Sequence, residues 1–153
     1  MDPTKPARLR VFIDADVLFA GAASPNKQSA SNLILRMAEL TLVEAIASTQ
    51  VIIVSERNIQ DKLPKALPAF QLLVSRCLKI VSDPDPTDLV EFNGLANPED
   101  LPILVAAIQQ ECSLLATFNI HHYQPGHPSV TVLKPGDLVK RIRYLLSHLP
   151  DQT

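Results

Sequence analysis

The chain has 153 residues, 46% of them hydrophobic, and a formal net charge of −2. These values predict one compact domain over 1–153, with flexible tails at 1–8 and 150–153, and exclude a disordered chain. The near-neutral balance excludes a passive, sequence-independent nucleic-acid binder, which is normally basic, but not an enzyme that meets phosphates through a bound cation.

Five short apolar runs read as strands in chain order: residues 9–14 (LRVFID), 49–55 (TQVIIVS), 78–82 (LKIVS), 113–118 (SLLATF) and 130–134 (VTVLK). They are continuous apolar runs without strict alternation, as in strands covered on both faces. Helical patterns separate them. Residues 29–48 predict one long or two short helices, and 55–77 two more, punctuated by Pro64 and Pro68. Residues 98–111 form a strongly apolar helix, and 135–149 close the chain. This alternation predicts an α/β fold, a three-layer α/β/α sandwich around a central parallel sheet of about five strands. Cys77 and Cys112 lie in apolar contexts without a CxxC, so two reduced structural thiols in a reducing compartment are expected. The N-terminus lacks a signal-peptide core, and no apolar run approaches the roughly 20 residues needed to cross a bilayer. A soluble, cytoplasmic protein with no membrane partner is the expectation.

In open parallel sheets the working site lies beyond the carboxyl ends of the strands. Acids collect there. Asp14 and Asp16 follow the first strand, Glu56 and Asp61 the second, and Asp83, Asp85 and Asp88 the third. Asp100 opens the helix before the fourth strand, which ends in Thr117, Phe118 and Asn119. Two carboxylates as close as Asp14 and Asp16 repel each other and are costly to desolvate, unless they cap a helix or hold a cation.

The succession VFIDADVLFAG, VSERNIQDKL, EDLPILVAA and LLATFN, with an aromatic after a short gap, resembles the PIN-domain family of metal-dependent ribonucleases. The likeness is greatest to small single-domain members of the VapC toxin type, and it runs from about residue 9 to 134. The resemblance implies that Asp14 is the first family acid, with Asp16 where the family usually has Asn. It places the second acid at Asp61, six residues past Ser55 at the strand end, with Glu56 competing. It places the third acid at Asp100. The fourth position, after Thr117, is Asn119 here, and His122 stands before Tyr123 where a further acid sometimes occurs. Asp14, Asp61, Asp100 and Asn119 are therefore the implied catalytic set. Asp14, Asp100 and Asp61 are the implied metal ligands, and Asp16, Glu56, Thr117, Ser55 and His122 are secondary candidates.

The implied cofactor is Mg²⁺ or Mn²⁺, hard ions that take oxygen ligands. The implied activity is hydrolysis of the RNA backbone as a divalent-metal-dependent endoribonuclease, in a toxin–antitoxin pair. RNA would be the substrate, a small antitoxin protein a partner, and a homodimer the assembly. With two family acids absent, weakened metal affinity or dependence on Asp16 is expected. Blander readings accompany each residue. Asp14 and Asp100 also suit helix caps, Asp61 a solvated helix position, and Glu56 a first-turn acid. Asp83, Asp85 and Asp88 suit a solvated loop. His121, His122 and His127 lack regular zinc-ligand spacing. Lys140, Arg141, Arg143, Arg8 and Arg10 suit either a basic rim or a solubilising surface.

Two rivals differ in class. A catalytically silent PIN fold would bind protein or RNA without cutting. A receiver-like signalling domain shares paired aspartates after strand one and a Lys-Pro like Lys134-Pro135. It needs a phosphoacceptor aspartate at the end of its third strand, and here that strand ends in a proline-rich stretch placed too far along the chain.

Overall fold

The computed structural model describes residues 8–24, 26 and 29–148. The expected flexible tails lie outside the described residues, apart from Arg8. Five strands, β1 (Leu9–Ile13), β2 (Val43–Ser48), β3 (Leu78–Val81), β4 (Leu114–Ala116) and β5 (Thr131–Leu133), form one sheet in the order β3-β2-β1-β4-β5. Every pairing is parallel, with Val11 opposite both Ala45 and Leu114. Seven helices connect them: α1 (Ala15–Ala23), α2 (Ala30–Glu39), α3 (Thr49–Lys62), α4 (Leu67–Cys77), α5 (Pro86–Leu89), α6 (Leu101–Gln109) and α7 (Pro135–Ser147). The expected three-layer α/β/α sandwich around a parallel sheet is the observed architecture.

Phe12, Ile13, Ile46 and Leu115 of the central strands are fully buried, as continuous apolar strands covered on both faces must be. In α6, Ile103, Leu104, Val105, Ala106 and Ala107 are all buried, which accounts for its nearly unbroken apolar sequence. The chain runs from β1 outward through β2 to β3, then returns to the other side of β1 for β4 and β5. Right-handed crossovers therefore place α1 to α4 on one face and the α5–α6 connection on the other. The direction reverses between β1 and β4, so a crevice opens beyond the carboxyl ends of those two strands.

The second strand lies elsewhere than the sequence predicts. Residues 49–55, expected as a strand, are the first half of α3, and the segment read as helix over 29–48 divides into α2 and β2. Val51, Ser55 and Ile59 recur at helical spacing on the buried side of α3, whereas Ile53 is exposed. The six residues VEAIAS make good helix formers but pair as a central strand. Glu44, a charge within a central strand, lies 3.3 Å from Arg10 on β1 and 3.8 Å from Lys79 on β3. Arg10 is thus committed to the sheet and not to a basic rim.

The acidic loop after β3 is more ordered than a solvated loop. Asp85 and Asp88 form a reciprocal capping box on α5, and Asp83 accepts the backbone N–H of Gln50 at 3.0 Å in the first turn of α3. Helix α1, which the sequence reading did not assign, begins directly behind Asp14. Among the described residues no helix is long and apolar enough to cross a membrane.

Candidate active site at the β1–β4 crevice

Asp14 leaves β1 with extended backbone and becomes the N-cap of α1, its Oδ1 accepting the Ala15 N–H at 2.7 Å. Its second oxygen faces the crevice and accepts two hydroxyl donors, Thr117 at 2.9 Å and Tyr123 at 2.7 Å. Capping and site placement therefore coincide at one residue that is only 8% exposed. Thr117 is fully buried at the end of β4, and Tyr123 reaches in from the turn over Ile120–Tyr123. Burial, then the charge and hydrogen bond of Asp14, push the Tyr123 hydroxyl far above its ordinary range, so it stays a donor.

Asp16, in the first turn of α1, presents Oδ2 to the β4 loop. It accepts the Phe118 N–H at 3.0 Å and the Asn119 side-chain amide at 3.1 Å, with the Thr117 hydroxyl at 3.4 Å. Its Oδ1 is buried without a hydrogen-bond partner. Burial first, and then repulsion by Asp14, raise the Asp16 carboxyl from 3.8 to about 6, against the lowering effect of the Phe118 and Val17 backbone N–H groups and the Thr117 hydroxyl. Asp100 occupies the N-cap position of α6 yet makes no side-chain cap bond. Its Oδ2 instead lies 3.2 Å from His122 Nδ1. Burial and the Asp14 charge raise its pKa, and His122 partly offsets them. The His122 backbone is fastened between Asn119 and Asn97, at 3.0 Å and 2.8 Å, which ties the Tyr123 turn to the start of α6.

Asp14, Asp16, Asp100, Thr117, Asn119 and His122 therefore converge. Asp61, Glu56 and Ser55 do not join them. The carboxylates whose charge acts on the Tyr123 hydroxyl are Asp14, Asp100 and Asp16. Ser55 is not at a strand end; it is buried within α3, where its hydroxyl donates to the Val51 carbonyl at 2.7 Å. Glu56 is half-buried on the second turn of α3. Asp61 is exposed on the last turn of α3, about 18 Å along the helix from Thr49. Six residues beyond Ser48, the observed strand end, stands Val54, so the position expected to carry the second acid is apolar. His127 hydrogen-bonds Ser129 at 2.7 Å and packs edge-on to Phe92, outside the cluster. Tyr123 was legible only as an aromatic after a short gap; its hold on Asp14 had no signal in the sequence.

The donor set suits a hard divalent ion. Asp14, Asp16 and Asp100 repel one another, and among the described residues none of them pairs with a lysine or arginine. The unpartnered Asp16 Oδ1 is the kind of buried oxygen that a cation satisfies. Among the described residues no group of three or more carboxylate, imidazole or thiol side chains is placed to hold a metal ion together. An ion with one or two protein carboxylates and several waters, the ordinary arrangement for Mg²⁺, does not need one.

A family model described as a PIN domain matches residues 10–121. Among curated proteins no sequence gives a significant match. Among solved structures, the chain is similar to one in the crystal structure of VapBC2 from Rickettsia felis bound to a DNA fragment from their promoter, with a TM-score of 0.61 at 14% identity. The similarity covers 82% of this chain and 98% of that one.

Proposed function

The chain belongs to the PIN-domain family, and on that premise we propose that it is a divalent-metal-dependent endoribonuclease that hydrolyses RNA phosphodiester bonds at the β1–β4 crevice. The observation that carries this reading is the convergence of Asp14, Asp16 and Asp100 on one sheet edge, unneutralised by any basic side chain among the described residues. One or two of Asp14, Asp16 and Asp100, with waters, would hold the ion, Asp16 taking the part expected of Asp61. When bound, Mg²⁺ or Mn²⁺ supplies positive charge to the phosphodiester and acidifies a water to make a nucleophile.

The protein's own residues prepare for this. Tyr123 and Thr117 fix the Asp14 carboxylate at the crevice, since both hydroxyls donate to one oxygen. The Asn119 side-chain amide donates to Asp16 Oδ2 and leaves the opposite oxygen free. His122 fixes Asp100, which no helix-cap bond restrains.

The structural neighbour is titled VapBC2 and described with promoter DNA. By analogy the partners proposed here are a small antitoxin protein and a second copy of this chain, in a toxin–antitoxin pair. A second reading, a silent PIN fold that binds without cutting, is favoured by the apolar Val54 and the neutral Asn119. An RNA-cleavage assay in Mn²⁺ separates the two. Wild-type protein should cut, and Asp14→Asn prepared identically should lose at least about a hundredfold, since one anchoring ligand is gone. Cleavage that survives Asp14→Asn would defeat the mechanism.

A further inference from the structure

Phe118 is an aromatic ring 45% exposed beside a cluster of carboxylates. Its backbone is not free to withdraw it, because the Phe118 N–H is bonded to Asp16 Oδ2 at 3.0 Å. The ring forms one wall of a groove of about 530 Å³ at the carboxyl edge of the sheet. The rest of the lining includes small residues, Ala20 of α1, Ser24 just past its end and Gly136 of α7, which leave room for a flat group. A Cβ on Gly136 would meet nothing within 4 Å. Among the described residues, Lys134 and Asp137 complete the rim with one charge of each sign.

We propose that Phe118 is the platform on which an unpaired base of single-stranded RNA stacks, with Lys134 contacting a neighbouring phosphate. The assignment rests on the nuclease reading and adds to it a residue that positions the substrate. Four features favour a base over other occupants. The volume falls in the range of small-molecule sites and accommodates one nucleotide. A phenyl ring carries no hydrogen-bonding group, and it stacks on any base without reading its edge. Asp137 repels phosphate from its side of the groove, leaving Lys134 as the cationic side. The groove also adjoins the acid cluster, since Phe118 lines it and bonds Asp16 through its own backbone N–H, so a base stacked on that ring would lie one residue from the carboxylates. A base held within a duplex has no free face, and paired RNA is excluded.

The chain contains no tryptophan, so Phe118→Trp installs a single reporter at the proposed platform. Titration with a short oligouridylate in EDTA should quench its emission saturably, and an RNA duplex of the same length should not. In Mn²⁺, Phe118→Ala should raise KM for single-stranded RNA about tenfold, the effect of losing about one stacked base, with kcat within about twofold. Phe118→Tyr should restore the wild-type KM, and Lys134→Gln should raise KM and flatten its dependence on salt. Unaltered melting temperatures verify that these surface variants fold. If wild-type protein cuts RNA but Phe118→Ala leaves KM unchanged, the stacking assignment fails while the nuclease reading stands. If nothing is cut, the nuclease reading fails, and the quench alone still decides stacking. Equal quenching by duplex and single strand, or none by either, overturns the proposal and leaves the groove to a protein segment.

Discussion

Asp16→Asn keeps an oxygen for the Phe118 N–H and places an amide nitrogen where the aspartate has an oxygen without a partner. The hydrogen bonds from Phe118 and Asn119 are kept, and one of three crowded charges is removed. The Asp16 carboxyl is raised from 3.8 to about 6 by burial and by Asp14. Because the folded-state value exceeds the unfolded one, folding takes up a proton in this range. Stability is therefore highest below about pH 4, falls as pH rises through about 6, and is flat above that. The whole interval corresponds to about 3 kcal/mol at neutral pH. Asp16 is only partly buried, solvent screens part of the effect, and about 1–2 kcal/mol is the expected gain from the substitution. For a domain of this length that is about 2–8 °C in Tm. Thermal unfolding followed by circular dichroism in EDTA, at steps from pH 4 to 8, measures it. The variant should melt above wild type at pH 7.5 and with it at pH 4. A lower Tm at pH 7.5, or a gain of equal size at pH 4, would refute the assignment of electrostatic strain to this carboxylate. Adding Mn²⁺ at pH 7.5 should raise the Tm of wild type more than that of Asp16→Asn, since an ion that binds only the folded state stabilises it in proportion to its affinity.

Tyr123→Phe removes a buried hydroxyl that donates to the Asp14 carboxylate, and chemical denaturation should register a loss of about 1.5–3 kcal/mol. Asp61→Ala, at the far end of α3, should leave cleavage within about twofold of wild type; a loss like that of Asp14→Asn would restore Asp61 to the site. Gly94→Ala and Gly126→Ala both force a side chain into positive φ, at 88° and 81°, for about 1–2 kcal/mol each. Gly126→Ala should be the worse in denaturant melts, because its Cβ would lie 2.9 Å from the Tyr123 carbonyl whereas nothing lies within 4 Å at Gly94.

The first strand and its two acids were legible because a run as apolar as VFI, stopped by Asp, has few other interpretations. The fourth strand and Asp100 were legible for the same reason, an apolar core helix entered through a polar residue and proline. Residues 43–55 misled because local preference and tertiary pairing disagree there. TQVIIV is β-branched and reads as a strand, while VEAIAS is rich in good helix formers. Pairing with β1 and β3, and the two cations flanking Glu44, decide for the second segment. The slip was costly for the site. Anchoring the spacing on Ser55 led to Asp61, and anchoring it on Ser48 leads to Val54. No count along the chain could reveal that Asp16 and Asn119 face each other, a contact made across 103 residues.

The distribution of free lone pairs explains how a cluster short of acids can still serve a cation. A carboxylate offers about four acceptor sites. Three around Asp14 are taken, by Ala15, Thr117 and Tyr123, so this residue is held in place more than it is left open. Asp16 is loaded on one oxygen only, by Thr117, Phe118 and Asn119, and its other oxygen is bare and buried. Asp100 has a single partner, His122. Unused capacity therefore lies with Asp16 and Asp100, while burial, and then repulsion from the fixed Asp14, raise the pKa of both. A divalent ion relieves that repulsion and uses that capacity together. The asparagine that removed a family acid is the same group that turns Asp16 toward this role, so Asn119→Asp should weaken ion binding by turning a hydrogen bond to Asp16 into a repulsion. Isothermal titration with Mn²⁺ checks this, and tighter binding by Asn119→Asp would show that charge count matters more here than orientation.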